Sequence, residues 1–497
     1  MPSDVRMHVI LVPFPAQGHF AAFLSLAARL HAALPTAAIT LVSTPRNVVA
    51  LRASSSSAAA AGAPFLRFHA LPFAPEEHGL PAGAESADTV HVRHFLALFQ
   101  STESPALQAA FDAFLAGVCV DAAEEEPVVV VADPFQAWTT AAAGRRGAGH
   151  AFLDSCGAFG SVVYHSLWNH LPLRRAPGGE AEAFCLPDHP EVTVHRSQLP
   201  AHLLLADGTD PWSAFHRRQI ALGYGTDAVL INTAEELEPA ELRMLRRTLG
   251  VPVLPIGPLI RLPTQHTSHR DSVMRWLDAR EKLNLSVLYI SFGSQNSLRP
   301  DQMMELAAAL ELTGRPFLWA IRPPVGLSDD TETFGLDKWL PEGFEERVRS
   351  NDTGLLVRGW APQLSILAHA STGAFLSHCG WNSVLESVAH GVPIIGWPLQ
   401  GDQFFNCETL EREWGACVEV ARGNAEGSSS VVERQRLAEV LETVMGDTAK
   451  GAEMRRRVKE IQELIGSTQE NGGASSAEAL KNLFTAMLHA TDHINDG

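Results

Sequence analysis

Short apolar runs alternate with helical stretches along the chain. Four runs in the first half have the length and β-branched content of buried strands: HVILVPF (8–14), AITLVST (38–44), PVVVVAD (127–133) and DAVLINT (227–233). A second series follows: VLYISFGS (287–294), FLWAI (317–321), GLLVRGW (354–360), GAFLSHC (373–379) and VPIIGW (392–397). Apolar strands separated by helices are typical of parallel sheets covered on both faces. The pattern therefore predicts two doubly wound α/β domains.

The two series are separated by VPVLPIGPLIRLPTQHTSHRD (251–271), in which prolines break regular structure before a polar stretch. We place the domain boundary in this segment. The expected divisions are a first domain over 1–255, a linker over 256–272, a second domain over 273–474 and a C-terminal segment over 475–497.

Three segments lie outside the two series of strands: the C-terminal segment and the segments 53–63 and 327–335. The last segment contains an amphipathic pattern near 477–490, and we expect this helix to pack back on the first domain. The segments 53–63 and 327–335 are low-complexity or acidic, and they are expected to be surface loops.

Composition excludes several classes of protein. With 38 basic and 56 acidic residues the formal net charge is −18, which disfavours binding to nucleic acid or an anionic membrane. The six cysteines show no CxxC spacing, so neither a zinc site nor a disulfide framework is expected. The N-terminus is not typical of a signal peptide, and no long apolar stretch predicts a membrane span. A cytoplasmic monomer is the expectation.

The segment FLSHCGWNSVLESVAHGVPIIGW (375–397) places a strand, a turn and a helix start in succession. Gly380 allows a tight turn, and the backbone N–H groups near Asn382 and Ser383 would form an anion site that needs no lysine. His378 would add a donor. Alternatively, Ser383 and Glu386 form only a capping box at the helix start.

This segment lies inside a longer motif, WAPQLSILAHASTGAFLSHCGWNSVLESVAHGVPIIGWPLQGDQ (360–403). Its pattern of W-x2-Q, HCGWNS, E, GVP and WP-x4-DQ resembles the signature of plant family-1 UDP-dependent glycosyltransferases. The resemblance extends over nearly the whole chain. It implies a GT-B fold, in which two Rossmann-like domains face an interdomain cleft and bind the acceptor and the UDP-sugar, respectively.

The resemblance also implies a contact for each part of a UDP-sugar. An indole face suits a flat base, and carboxylate and amide groups suit neighbouring hydroxyls. By position in the motif, the residues are Trp360 and Ala361 for uracil, Gln363 and Glu386 for ribose, His378, Gly380, Trp381, Asn382 and Ser383 at the diphosphate turn, and Asp402 and Gln403 for the sugar hydroxyls.

Four of these assignments have ordinary structural alternatives. Ser294, which resembles an additional phosphate donor of the family, could be a turn serine. Trp360 and Trp381 could be core aromatics, and Asp402 could cap the helix that follows it.

The first strand leads into VPFPAQGHFAAF, which places Gly18 and His19 at a helix start. Gly18 is expected to contact the UDP-sugar. A helix N-terminus disfavours an imidazolium, so His19 would stay neutral and able to accept a proton. Asp133 would fix its tautomer, because the resembling family pairs a histidine after its first strand with an aspartate after a later one. Alternatively, His19 is a surface residue and Asp133 a turn residue before Pro134.

Together these residues predict a single displacement. His19 removes the proton of an acceptor hydroxyl, the oxygen attacks the anomeric carbon, and inversion yields a β-glycoside and UDP. Glucose is the expected sugar, because members of the resembling family that use glucose usually have a glutamine at the position of Gln403. Phe14 and Phe135 predict a lipophilic pocket for a flavonoid, another phenolic or a terpenoid. No cofactor or metal is expected.

Two alternatives belong to other classes of function. One is a nucleotide-sugar-binding protein without turnover. The other is a hydrolase that uses His19, Asp133 and Ser155, although the chain contains no GxSxG. Dehydrogenases and kinases are disfavoured because GxGxxG and GxxxxGK[ST] are also missing from the sequence.

Overall fold

The structure is a computed structural model. It describes residues 7–56, 65–122, 126–171, 182–260, 270–283, 286–322, 339–423, 431–468 and 480. The chain divides into two compact units. The first comprises Met1–Val194, His202–Thr264 and Ser467–Gly497, and the second comprises His195–Ala201 and Gln265–Gly466.

The first unit contains a seven-stranded parallel sheet. The strands in the part of the chain up to residue 255 are β1 (His8–Val12), β2 (Ala38–Ser43), β3 (Leu66–Ala70), β4 (Val128–Ala132), β5 (Gly149–Asp154), β6 (Ala183–Cys185), β7 (Thr193–His195), β8 (Ala228–Ile231) and β9 (Val253–Pro255). The large sheet has the order β3-β2-β1-β4-β5-β8-β9, and β6 pairs with β7 in a separate sheet.

The helices in this part of the chain are α1 (Gln17–Ala33), α2 (Pro45–Ser56), α3 (Phe95–Ser101), α4 (Pro105–Asp121), α5 (Thr139–Arg145), α6 (Ala158–His170), α7 (Ala201–Leu204), α8 (Pro211–Gly223) and α9 (Pro239–Leu249). Every residue of β4 is buried, as expected for a central parallel strand. Helix α1 covers the sheet with an apolar face that includes Phe23, Leu26 and Leu30.

The second unit contains a six-stranded parallel sheet. Its strands are β10 (Val287–Ser291), β11 (Phe317–Ile321), β12 (Gly354–Arg358), β13 (Thr372–Ser377), β14 (Ile394–Gly396) and β15 (Cys417–Glu419). Its helices are α10 (Arg270–Glu281), α11 (Pro300–Thr313), α12 (Phe344–Ser350), α13 (Gln363–Leu367), α14 (Trp381–Ala389), α15 (Gln403–Glu408), α16 (Arg434–Met445) and a further helix, α17, over 449–468. The strand order is β12-β11-β10-β13-β14-β15.

Both large sheets reverse their strand order at one point. The reversal lies between β1 and β4 in the first unit and between β10 and β13 in the second. Ligands of doubly wound sheets bind beyond the carboxyl ends of the two strands that flank such a reversal, where the connecting loops diverge. The fold therefore directs attention to the loops that follow these four strands.

Each of the nine predicted runs contains a strand, but the segment 251–271, in which no regular structure was expected, includes one as well. Val253–Pro255, inside the expected break over 251–271, forms the edge strand β9 and pairs with Val229–Ile231 of β8. Residues 53–56 of the expected loop 53–63 are the last turn of α2. Residues 57–63 and 327–335 lie outside the described residues.

One short segment lies in a different unit from the one expected. Residues 195–201 fall within the expected first domain, but the structure groups them with the second unit. Their polar contacts explain this, because Gln198 donates a hydrogen bond to Glu408 and Arg422 donates one to Ser197 at 2.6 Å. From the expected helix 477–490, only Leu480 is described. It is helical and buried in the core of the first unit.

Within the described ranges, the structure has no helix that is both long and apolar enough to cross a bilayer.

The packing of α1 leads to a first prediction. Phe23 is fully buried in the core that anchors this helix. We expect Phe23→Ala to lower the free energy of unfolding by about 3–5 kcal/mol, because the substitution removes buried apolar surface and leaves a cavity. Val49→Ala is the control, since Val49 is 70% exposed, and its effect should stay within about 0.5 kcal/mol. Chemical denaturation measures the free energy of unfolding of both variants. Equal losses of this free energy in Phe23→Ala and Val49→Ala would contradict the packing of α1 described here.

Candidate active site

His19 and Asp133 lie in contact at the reversal of the first sheet. His19 is in the first turn of α1, and Asp133 directly follows β4, where its N–H donates to the carbonyl of Val12 at 2.9 Å. The Nδ1 atom of His19 lies 2.5 Å from Oδ2 of Asp133. The Asp133 side chain is 1% exposed and that of His19 is 23% exposed. The carboxylate is thus buried while the imidazole reaches the surface of the unit.

The turn interpretation of Asp133 is also correct. Its Oδ1 accepts a hydrogen bond from the N–H of Phe135 at 3.0 Å, which caps a short 3-10 helix, Pro134–Gln136. One carboxylate oxygen therefore fixes the backbone and the other fixes the imidazole. Gly18 lies beside His19 in the first turn of α1. Its contact with a UDP-sugar stays a prediction.

The position of Ser155 does not fit a hydrolytic triad. Its Oγ lies 3.4 Å from Nδ1 of His19, the same nitrogen that contacts Asp133. In a Ser-His-Asp triad the serine contacts one ring nitrogen and the aspartate the other. This geometry disfavours the hydrolase alternative.

Aromatic side chains surround His19. The ring centroid of Phe14 lies 5.3 Å from the His19 ring, and that of Phe135 lies 6.0 Å from it. Phe99 contacts both phenylalanines, with centroid distances of 4.4 and 5.1 Å. His216 continues the cluster 5.9 Å from Phe135. The two predicted phenylalanines are thus placed beside His19, and the structure adds Phe99 and His216.

In the second unit, the turn after β13 begins α14 earlier than expected. Gly380 is the N-cap, and its carbonyl accepts the first helical hydrogen bond from the N–H of Val384 at 3.0 Å. Ser383 therefore lies within the first turn, and no side chain of the N-cap residue caps the helix. The capping-box alternative for Ser383 and Glu386 is wrong. Asn382 and Ser383 both lie in the first turn, where backbone N–H groups have no helical acceptor.

The tight turn is made by a different residue from the one expected. Gly380 has an ordinary φ of −61°, whereas Cys379 has a φ of +63°, in the left-handed region. A Cβ atom on Gly380 would lie 2.6 Å from Nε2 of His378. Position 380 thus requires glycine because the imidazole approaches its backbone closely, and not because of the turn angle.

His378 is enclosed from two sides. A Cβ atom on Gly293, in the turn after β10, would also lie 2.6 Å from its Nε2. Burial lowers the pKa of His378 to about 4, and its buried Nδ1 has no hydrogen-bond partner among the described residues. The imidazole is therefore neutral at physiological pH. A neutral imidazole carries one N–H donor.

The two residues predicted to hold ribose are in direct contact. The side-chain nitrogen of Gln363 donates to Oε2 of Glu386 at 2.6 Å and to Oγ of Ser383 at 3.1 Å. The hydroxyl of Tyr289 donates to the side-chain oxygen of Gln363 at 3.3 Å. Gln363 is thus fixed in orientation between β10 and α14. Glu386 is 7% exposed, so this carboxylate is largely shielded from solvent.

The two tryptophans of the motif differ in exposure. Trp360 is 46% exposed, and its ring lies 4.6 Å from the guanidinium carbon of Arg322. Trp381 is 4% exposed and packs against Trp414 with a centroid distance of 5.9 Å. The core interpretation is therefore correct for Trp381 and wrong for Trp360. Ala361, next to Trp360, is buried.

Asp402 and Gln403 begin α15. Asp402 is at the N-cap position without capping the helix, and its Oδ2 accepts from the side-chain nitrogen of Asn406 at 2.8 Å. The side-chain oxygen of Gln403 accepts from the backbone N–H groups of Leu399 and Gln400 at 2.9 and 3.0 Å. The cap interpretation of Asp402 is wrong. The Asp402 side chain is thus held by a residue of α15, and the Gln403 side chain by the loop before this helix.

Comparison with known proteins adds independent findings. A family model described as glycosyltransferase, N-terminal domain, matches residues 5–185, and one described as UDP-glucuronosyl and UDP-glucosyl transferase matches residues 276–455. UDP-glycosyltransferase 92A1 of Arabidopsis thaliana is 35% identical, with 96% of this chain and 95% of the relative covered. Crocetin glucosyltransferase 3 of Crocus sativus is 37% identical, with coverages of 97% and 99%. This chain belongs to the plant family-1 UDP-glycosyltransferases.

Solved structures agree with this assignment. A Glycyrrhiza uralensis UDP-glycosyltransferase, complexed with glycyrrhetinic acid 3-O-monoglucuronide, matches 99% of this chain and 97% of its own with a TM-score of 0.80 and 27% identity. A second glycosyltransferase, in complex with UDP, has a TM-score of 0.75 and 27% identity over 98% of this chain and 99% of its own. The fold is GT-B, and the UDP-glycosyltransferase transfers a sugar from a UDP-sugar to an acceptor.

Sequence reasoning missed several residues of this UDP-glycosyltransferase. Gly293 precedes Ser294 in the turn after β10, and Arg322 follows β11. Asn406 donates to both Asp402 and the carbonyl of Cys379, at 2.8 and 3.0 Å. Each of these residues follows a strand or lies in the first turn of a helix, and this position in the sequence could have indicated them as site residues. The role of Ser294 as a phosphate donor stays a prediction.

The enclosure of His378 in this UDP-glycosyltransferase generates a second prediction. We expect Gly380→Ala to weaken UDP binding by about tenfold or more, because the new methyl group would displace the imidazole. Gly466→Ala is the matched control in the same unit, since a Cβ there would meet nothing within 4 Å. Titration calorimetry with UDP is the measurement. Equal affinities for the two variants would show that the position of His378 does not matter for binding.

Proposed function

We propose that this UDP-glycosyltransferase transfers glucose from UDP-glucose to a hydroxyl of a small lipophilic acceptor and inverts the anomeric centre. The contact between His19 and Asp133 carries this proposal. A histidine with a buried carboxylate on one ring nitrogen is the arrangement of a general base for a hydroxyl nucleophile. A single displacement on an α-linked donor gives a β-glycoside and UDP.

The tautomer of His19 follows from this contact. With Nδ1–H donating to Asp133, the lone pair of the imidazole lies on Nε2, and this atom accepts the proton of the acceptor hydroxyl. As the proton arrives, the imidazolium is stabilised by the Asp133 carboxylate 2.5 Å away. Because Phe135 N–H also binds this carboxylate, the base is held in one orientation throughout the reaction.

The acceptor side is proposed to be apolar. Phe14, Phe99 and Phe135 form a continuous aromatic cluster around His19, which favours a flat phenolic or a terpenoid over a sugar or peptide. The relatives named as a crocetin glucosyltransferase and as a UDP-glucose flavonoid 3-O-glucosyltransferase, the latter from Fragaria ananassa and 30% identical, support this class of acceptor.

The donor side is proposed to hold UDP-glucose by neutral donors. The exposed face of Trp360 suits uracil, Gln363 and Glu386 suit the ribose hydroxyls, and the first turn of α14 with His378 suits the diphosphate. Asp402 and Gln403 would bind hydroxyls of the glucose. This set supplies hydrogen-bond donors to the leaving diphosphate, so we propose a reaction that needs no metal ion or other cofactor. We also propose a cytosolic, monomeric enzyme.

Substitution of the base tests the proposal. The protein is incubated with UDP-glucose and a panel of flavonoids, simple phenols and terpenoids in the presence of a chelator. We expect a hexose adduct with β configuration, and a loss of about 10²–10⁴-fold in turnover for His19→Ala, because the general base is removed. UDP affinity should change by no more than about twofold, since the substitution spares the nucleotide site. Mass spectrometry and proton NMR of the product are the measurements.

His31→Ala is the matched control, because His31 belongs to the same helix and stacks on Phe65 away from Asp133. It should keep wild-type turnover. Full turnover in His19→Ala would show that another group is the base. UDP binding without any hexose adduct would favour the nucleotide-sugar-binding alternative.

The ribose contact gives a separate prediction. We expect wild-type protein to bind UDP better than 2′-deoxy-UDP, and Glu386→Ala to reduce this discrimination by about tenfold, since a hydrogen bond to a carboxylate is lost. Competition binding of the two nucleotides measures the ratio. Glu345→Ala is the control, because Glu345 pairs with Arg358 on the surface of the same unit. An unchanged ratio in Glu386→Ala would remove Glu386 from the ribose site.

A further inference from the structure

Three thiols that the proposed reaction does not use meet inside the second unit. Cys379 follows β13, Cys407 is in α15 and Cys417 begins β15. All three are fully buried, and their sulfur atoms all lie within 4.8 Å of one another. Sequence spacing gave no sign of this cluster, because its members come from a turn, a helix and a strand that are separate in the chain.

The sulfur atoms converge on a residue without a side chain. A Cβ atom on Gly396 would overlap the sulfur of Cys407 and lie 2.9 and 3.2 Å from those of Cys417 and Cys379. The Cys407 and Cys417 sulfurs are 3.9 Å apart, far from the length of a disulfide bond, which is about 2.05 Å. Three thiolates bound to one centre at about 2.3 Å, as in zinc sites, lie about 4 Å apart. The separation of the Cys407 and Cys417 sulfurs matches this spacing, and the sulfur of Cys379 lies within 4.8 Å of both.

The surroundings select for a neutral complex. The three sulfurs are shielded from solvent, and the carboxylates of Glu419 and Glu411 place negative charge near Cys379 and Cys417, respectively. The guanidinium of Arg422 is paired with Glu419 at 2.6 Å. A divalent ion with three thiolates would carry a net negative charge, which is costly in such a site. Zinc also prefers a fourth ligand.

We propose that the Cys379–Cys407–Cys417 cluster binds one trivalent arsenic atom, taken up as arsenite. In this reaction As(OH)₃ and three thiols form three As–S bonds, while three As–O and three S–H bonds break. Three water molecules leave. The oxidation state of arsenic and sulfur does not change, so no oxidant or reductant is needed. The product has no net charge, which suits the buried position of the three sulfurs.

Binding of arsenic to the cluster should also change the conformation of the turn after β13, which we propose holds the diphosphate. Cys379 directly precedes Gly380, has a φ of +63°, and its carbonyl accepts from Asn406 at 3.0 Å. Movement of its sulfur would therefore shift the start of α14. We expect arsenite to weaken UDP binding. This second step rests on the proposed function, whereas arsenite binding itself does not.

Single substitutions test the site on the full-length protein. We expect wild-type protein to bind one arsenite per chain, and Cys407→Ala and Cys417→Ala to weaken that binding by more than about tenfold, since each removes one of three bonds. Cys119→Ala and Cys185→Ala are controls, because these thiols lie outside the cluster in the first unit. Equal arsenite affinity in all variants, or a loss of arsenite affinity in the two control variants alone, would refute the proposed site. Thermal unfolding of each variant verifies that it is folded.

A measurement on the wild type alone avoids any folding defect of the variants. X-ray absorption at the arsenic edge should show three sulfur neighbours and no oxygen, and a retained As–O bond would overturn the three-thiolate site. For the second step, UDP affinity is measured with and without saturating arsenite in wild type and Cys417→Ala. An unchanged affinity in the wild type would refute the coupling. A failure of untreated protein to bind UDP would refute the proposed function instead.

Discussion

The second unit depends on the close packing of one imidazole against two stretches of backbone. His378 lies where a side chain on either Gly293 or Gly380 would overlap its ring. These glycines follow β10 and β13, so the imidazole fixes the separation of the two loops at the reversal of the sheet. Next in the chain come Cys379, which has a left-handed conformation, and Trp381, the first residue of α14. At the glycines the backbone can approach an anion closely, because no side chain lies between the backbone and the anion.

The same unit shows how a buried carboxylate is kept in place. Glu386 accepts from Gln363, and Gln363 accepts from Tyr289, whose pKa is raised by burial and by the Glu386 charge. Tyr289 therefore stays protonated and acts as a donor. The chain of donors runs in one direction towards the carboxylate, so each group fixes the orientation of the next. Gln363 and Glu386 are distant in sequence but form one rigid polar pair.

The sequence was informative where one physical signal dominated. Uninterrupted runs such as the VVVVA of β4 predicted strands, because β-branched runs of this length are typical of strands buried on both faces of a parallel sheet. Strand β5 was not predicted. It contains His150, whose two ring nitrogens bind Thr139 and Thr226 at 3.0 and 2.9 Å. Those partners are distant in sequence, so the sequence does not show that this histidine is buried in a strand. Strand β9 was missed because a proline ends it.

The site residues show a similar limit. The spacing of Ser383 and Glu386 fits a capping box, and only the position of Gly380 as N-cap shows that the helix begins earlier. Glycine at 380 was expected on account of backbone angles, whereas the contact with His378 explains it. Pairwise contacts between loops at the edge of a sheet depend on the register of its strands. A single sequence does not contain that register explicitly.

Histidines occupy the reversal of both sheets, yet their surroundings give them opposite chemistry. His19 follows β1, is 23% exposed and contacts a buried carboxylate, which stabilises its cation. His378 follows β13, is enclosed by backbone and has a pKa of about 4, so its neutral form persists above that pH. An imidazole that must accept a proton needs a nearby anion, and one that must donate a hydrogen bond to a diphosphate without changing its charge needs burial. Because the fold repeats the strand reversal, the groups around each histidine, a carboxylate at His19 and close backbone at His378, are the reason that we propose His19 and not His378 as the base.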